Sequence, residues 1–409
     1  MDHADDGSAA RSSGRRVHVP GLGERDAPAR VTAFELFFDL VYVFAFTQVS
    51  RLMAEAHSGL GVLQGLVVLG LLWWTWVGFS WISNQASVDQ PAFRLGMTVT
   101  MIAVFVGALT IPESYEDLEG GWYGPLVFAG AYATVRIAHI TIYAVLSPGD
   151  PLLRRQLLIF LAALVPGVAL ILLGAAVGGQ AQLWLWIAAI VYDLAATRVG
   201  SILGRGWRIP SVQHWAERYG LVVILALGES IVAIGVGVAA EPIDLPIILG
   251  SAAAIVVSVL LWWSYFARLA VRGEHRLAEV DEHRRAVRGA DAYSYAHLVI
   301  IAGIIVAALG IEDAMKHVSD SRGLGWFGAI ALASGIAAFA AGTALFAFLI
   351  GERAPAFRIT EAAVILVAIP LLASVPALAA LLLVGAIMGI IAAAEATADR
   401  RRARSAAGS

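Results

Sequence analysis

Arg136 and His139 stand three residues apart in the apolar run 122–146, so they share one helix face. A guanidinium beside an imidazole can hold a polar solute or pass a proton. Glu229 lies midway along another apolar run, 217–239, between Gly228 and Ser230. An ionisable group at mid-bilayer costs about 2.5–3.5 kcal/mol on insertion scales, so it faces protein or water and has a partner. Opposite charges at similar depth predict an Arg136–Glu229 pair or the two walls of one cavity. The competing reading is a structural ion pair. Glu35 and Asp39, four apart on one face of the run 32–54, are close carboxylates whose repulsion suits reversible protonation. The competing reading pairs each with a basic residue such as Arg218.

Gln48 lies on the opposite side of that helix from Asp39, and Asp193 with Arg198 predicts a structural salt bridge. His214 and Glu217, at i and i+3, are half of a pattern used by di-iron bundles, in reversed order and without a second copy. His275 and His283 read as solvated, and His297 as a satisfied buried histidine. The expected substrate- or proton-binding residues are Arg136, His139, Glu229, Glu35, Asp39 and Glu217. Asp193, Arg218 and Gln48 are secondary candidates. No catalytic residue, metal or other cofactor is expected.

The elements that must position these groups are membrane helices. The chain has 409 residues, 59% hydrophobic and 14% charged, whereas soluble domains carry about 25% charge. Its apolar residues fall in runs of roughly 20, the length of a helix that crosses the hydrocarbon core. The runs place spans at 32–54, 59–82, 92–112, 122–146, 155–177, 182–200, 217–239, 244–269, 291–312, 324–350, 357–373 and 375–396. Pro166 and Pro370 should kink their spans. The charged stretch 272–288 reads as one short surface helix.

Arginine placement tests that count. With alternating loops, 24 of the 28 Lys and Arg fall on one side and only Arg51, Lys316 and Arg322 on the other, Arg136 remaining inside a span. The bias places both termini in the cytoplasm and requires an even number of spans. Residues 1–30 lack the apolar core of a signal peptide. A net charge of −3 suggests no nucleic-acid partner, and the absence of cysteine excludes disulfides and thiolate chemistry. No phosphate-binding Gly-rich loop, nucleophile elbow or His-Glu-x-x-His motif occurs. Asn84 and Asp89 are only a thin echo of a magnesium-diphosphate site.

Weak internal matches share a common order. Trp73-Trp74-Thr75-Trp76 answers Trp262-Trp263-Ser264-Tyr265, and the end of the third span, Ala108-Leu109-Thr110-Ile111, answers Ala308-Leu309-Gly310-Ile311. Arg154 precedes Pro166 by twelve residues, as Arg358 precedes Pro370. The predicted fold is therefore all-α: a polytopic integral membrane helix bundle of about twelve spans in two parallel six-helix repeats. The divisions are a disordered cytoplasmic N-terminus (1–30), a first repeat (31–200), a cytoplasmic linker (201–216), a second repeat (217–396) and a basic cytoplasmic tail (397–409).

Several stretches carry a resemblance. They are Glu35-Leu36-Phe37-Phe38-Asp39-Leu40-Val41-Tyr42, the Trp-rich second span running to Asn84 and Asp89, Arg136-Ile137-Ala138-His139, and His214-Trp215-Ala216-Glu217-Arg218-Tyr219 continuing to Leu227-Gly228-Glu229-Ser230. Together they resemble the bacterial low-temperature-requirement A (LtrA) family over roughly residues 30 to 395. The resemblance implies a multi-pass protein of the cell membrane, linked by name to growth in the cold, with no established substrate or reaction.

Three functions compete. The leading expectation is a secondary transporter or permease for a small solute, with protons as the candidate coupling ion. The others are a membrane-embedded enzyme acting on a lipid or prenyl chain and a non-catalytic factor for cold membranes. The implied partners are the lipid bilayer and a small-molecule substrate.

Overall fold

Helix α1, Ala33–Ala56, begins where Thr32 and Glu35 cap each other: the threonine hydroxyl accepts from the Glu35 amide, and the Glu35 carboxylate accepts from the Thr32 amide. The chain continues through α2 (Gly59–Gln85), α3 (Pro91–Leu109), α4 (Gly124–Leu146), α5 (Pro151–Val177) and α6 (Gly179–Gly204). It goes on through α7 (Val212–Gly237), α8 (Leu245–Phe266), α9 (Leu269–Ala278) and α10 (Glu282–Gly289). A π-helical turn, Ala290–Tyr295, leads into α11 (Ala296–Lys316). The last helices are α12 (Gly325–Leu349), α13 (Ala356–Val367), α14 (Ile369–Ser374) and α15 (Ala377–Ala407). This computed structural model describes residues 30–85, 90–146, 151–204, 207–352 and 356–407. The expected disordered stretch before residue 30 and Asp89 lie outside the described residues.

Among the described residues, eleven helices are long and apolar enough to cross a membrane. The predicted span 357–373 is instead two pieces, α13 and α14, broken at Ala368. Pro370 sits in the first turn of α14, where its missing N–H leaves no bond unmade. Together the pieces run the length of α12: α13 begins after the end of α12, and Val375 meets Leu324 at its start. Pro166, by contrast, lies inside the continuous α5.

Two further expectations change. The surface helix predicted at 272–288 is two helices, α9 and α10. The basic tail set apart at 397–409 continues α15 as far as Ala407, as its Ala and Arg, both strong helix formers, allow.

Packing follows a pattern. In the first half α1 packs on α2 and α3, α3 on α4, α4 on α5, α5 on α6, and α2 on α4 and α6. In the second, α7 packs on α8 and α11, α11 on α12, α12 on α13, α13 on α15, and α8 on α12 and α15. The tightest seam joins antiparallel α11 and α12. A Cβ added at Gly303, Gly310, Gly335 or Gly342 would strike the backbone of the facing helix. Glycine there lets two backbones touch, the usual device where helix association cannot draw on water exclusion. Large apolar side chains stay exposed on outward faces, as on α5 (Leu158, Val165, Leu173), where lipid would cover them.

Candidate functional site

Helices α1 and α7 lie side by side and run the same way. Going along both in order, Glu35 meets His214, Asp39 meets Arg218, and Thr47 meets Glu229. The residues just before α1 stand at the start of α7, where the Val31 amide donates to Glu217 (3.2 Å).

Near this end lies a closed ionic cluster. Glu35, Asp39, His214 and Arg218 all have zero exposure. Asp39 Oδ1 accepts from Arg218 Nη2 (2.9 Å) and from the Trp76 indole (2.8 Å). The guanidinium lies over the Trp76 ring, 5.5 Å from its centre. Its Nη1 faces Glu35 Oε1 at 3.5 Å.

Asn84 lies against His214. The Asn84 amide nitrogen donates to the Ser211 carbonyl (2.7 Å) and lies 3.2 Å from His214 Nδ1. With an amide donor facing it, Nδ1 accepts, and Nε2 donates to Glu35 Oε1 at 2.9 Å. That arrangement is one tautomer of a neutral imidazole, and a protonated ring would pair with Glu35 through the same Nε2. The cluster brings two carboxylates together with one guanidinium and one imidazole, so its net charge turns on the proton of His214. Asp39 Oδ2 is buried without a protein partner, which makes it the open oxygen of the cluster.

A second pair lies in the first half. Arg136 Nη2 contacts both oxygens of Asp193, at 3.0 and 2.9 Å, and the guanidinium lies 5.3 Å from the Phe160 ring centre. His139, one turn on, is 3% exposed and packs its ring against Gly78 of α2. A Cβ at position 78 would come within 2.8 Å of the imidazole, so glycine there lets the ring close on α2.

The structure redraws the expected pairings. Arg136 and Glu229 do not meet: Arg136 takes Asp193, while Glu229 accepts from Thr47 (2.7 Å). Asp193 does not pair with Arg198, which binds Asp291 at 3.1 Å. Neighbouring helices supply the counter-charges, and spacing along one helix does not reveal them. Glu35 and Asp39 share Arg218, the competing reading of that pair. His214 and Glu217 are engaged separately, by Glu35 and by the Val31 amide. Gln48 is half-buried and joins neither network. His297 is a satisfied buried histidine, bonded to Tyr265 and the Ala292 carbonyl.

Some participants escaped the sequence reading. Trp76 donates to Asp39 and Thr47 to Glu229, and neither carries a charge that would mark it inside its apolar run. Trp207 had one visible signal, a large aromatic in a short non-helical link beside Arg208.

Comparison with known proteins follows this geometry. An uncharacterized protein of Rhizobium meliloti (strain 1021) is 28% identical over 335 residues, covering 77% of this chain and 76% of that protein. No solved structure matches. Residues 30–393 match the family described as Bacterial low temperature requirement A protein (LtrA), a stretch that takes in α1 to most of α15 and every residue discussed above. The chain is a multi-pass, all-α membrane protein and belongs to the bacterial low-temperature-requirement A family.

Proposed function

We propose that this protein is a secondary transporter or permease for a small solute, coupled to protons. Two parallel six-helix repeats form it, with both termini cytoplasmic and α1 and α7 meeting on the axis between the halves. The shared set of helix neighbours in the two halves supports the repeat. The arginine bias supports the orientation.

The observation that carries the reading is the cluster of Glu35, Asp39, His214 and Arg218. Burying charges is expensive, and apolar residues of similar volume usually hold helices together as well or better. A fully buried cluster of two carboxylates, an imidazole and a guanidinium is suited to taking up and releasing a proton. It sits where relative movement of the halves would alter its surroundings. Arg136 and His139 are the proposed solute-binding residues, with Glu229 as a further proton site near the far end of the α1–α7 contact. An enzyme acting on lipid would need carboxylates reachable from the bilayer, whereas Glu35 and Asp39 are enclosed.

Flux in proteoliposomes tests this. Expected is solute movement driven by a pH gradient for some member of a broad small-solute panel, with the gradient dependence lost in Asp39→Asn. Incorporated, folded protein that moves nothing across the panel would overturn the reading.

A further inference from the structure

We propose that Trp207 is a gate over a pocket for a small aromatic solute bearing one hydroxyl-type head, a phenol or an aromatic carboxylic acid. The inference rests on the reading that Arg136 and His139 hold the solute, and it names the solute class and the gate.

The starting point is a small cavity between α2, α4, α6 and the π-helical turn. It has about 30 Å³ of room for water-sized centres, enough for one or two waters and no more. Arg136, His139 and Thr197 line it. Arg136 Nε, His139 Nε2 and Thr197 Oγ1 are all buried without a protein partner. Buried polar atoms are nearly always paired, so three orphans around one cavity are a strong departure.

Their hydrogen-bonding roles specify the head group. His139 Nε2 has no partner and accepts a hydrogen bond in the neutral tautomer that carries its proton on Nδ1. Arg136 Nε can only donate, and the Thr197 hydroxyl can do either. A head that accepts one bond and donates another satisfies all three groups, as an O–H does. Because Asp193 already balances Arg136, the site does not need a full anion.

Beside Val77 and Gly78, the remaining wall is aromatic: Trp74, Trp81, Phe160, Tyr295 and Trp207. Such rings favour a flat apolar body, stacked or edge-on. Ala290 and Ser294 of the π-helical turn close the other side. Ser294 also holds the Tyr219 hydroxyl (2.9 Å), and the Tyr219 ring stands edge-on to Trp76, which donates to Asp39. The pocket is thus in packed contact with the ionic cluster.

Trp207 occupies the place where such a body would lie. It also lines an open cleft of about 1640 Å³ walled by α10, the end of α9 and the end of α12. One side chain therefore separates a broad vestibule from the enclosed polar atoms. Trp207 stands in the non-helical link 207–210, and ring contacts hold it, to Trp81 (5.2 Å), Tyr143 (5.3 Å) and Phe160 (6.1 Å). Such contacts are worth about 0.5–1.5 kcal/mol each beyond area, which a stacking solute can replace.

The chain has no cysteine, so an introduced thiol reports alone. The full-length protein carrying Thr197→Cys is labelled in detergent with methyl methanethiosulfonate, a small neutral reagent. Labelling should be slow, at least tenfold faster with Trp207→Ala, and slow again with Trp207→Phe, which keeps a ring. Trp207→Val serves if the alanine variant does not elute as a single folded species. Phenol should slow labelling of the open-gate variant several-fold, and cyclohexanol, which is not flat, should not. Equal labelling rates with and without the Trp207 ring would overturn the gate. Absence of phenol protection, or equal protection by cyclohexanol, would overturn the solute class. The readout involves no flux, so it stands or falls separately from the transport assay.

Discussion

Two helix contacts at the centre of the molecule are built in opposite ways. Helices α11 and α12 meet through glycines and small residues, backbone on backbone. Helices α1 and α7 meet through two carboxylates, a guanidinium, an imidazole and, further along, the Glu229–Thr47 bond. Both contacts are deeply buried. The first is what close packing alone produces in a lipid environment. The second spends stability to keep charge out of water, and that contrast separates a seam that holds from one suited to change.

The comparison can be broken at its strongest point first. Gly335→Leu should give no folded protein, because its Cβ would fall on the Ala307 backbone and two helix axes cannot separate locally. The effect should exceed the ~1–3 kcal/mol of ordinary overpacking. Size-exclusion chromatography after mild extraction would show it, and a single sharp peak would mean that the seam is looser than drawn here.

Next in size is Arg218→Met. Removing the guanidinium leaves two enclosed carboxylates without their cation, at a cost of about 3–5 kcal/mol. Thermal unfolding should reveal the loss, and adding Glu35→Gln and Asp39→Asn together should restore most of it. Failure of that restoration would show that Arg218 acts through packing on Trp76 and not through charge.

The smallest change is Thr47→Val, which keeps the shape and removes one hydrogen bond to Glu229. About 1–2 kcal/mol is expected. An unchanged melting temperature would place Glu229 in contact with water rather than with α1. That would strengthen its candidacy as a proton site reachable from the far face.

How the charges were legible depended on what each reading needed. Arg136, Asp193 and Glu229 were recognisable as enclosed, because a charge inside a run of apolar residues has few other places to go. Their partners were not, since a guanidinium in α4 can reach any helix that packs beside it. Arg218 was named as a partner for Glu35 and Asp39 because all three fall at the same end of their spans. Where depth alone restricted the choice, the reading held. Where the rotation of one helix against another decided it, as for Arg136 and Asp193, it did not. Thr197 and Trp207 became visible only when three distant stretches closed around one small cavity.

The sequence by itself determined immersion in the membrane, the helical class and which loops carry arginine. Each of these is a sum over neighbouring residues: hydrophobic transfer adds along a run, and a helix satisfies its own backbone bonds without outside help. Only the tertiary structure decided which charge answers which, which polar atoms lack partners and which aromatic ring closes the cavity. Those outcomes depend on the lateral order and rotation of whole helices, and the apolar runs that fix each helix's depth leave both free.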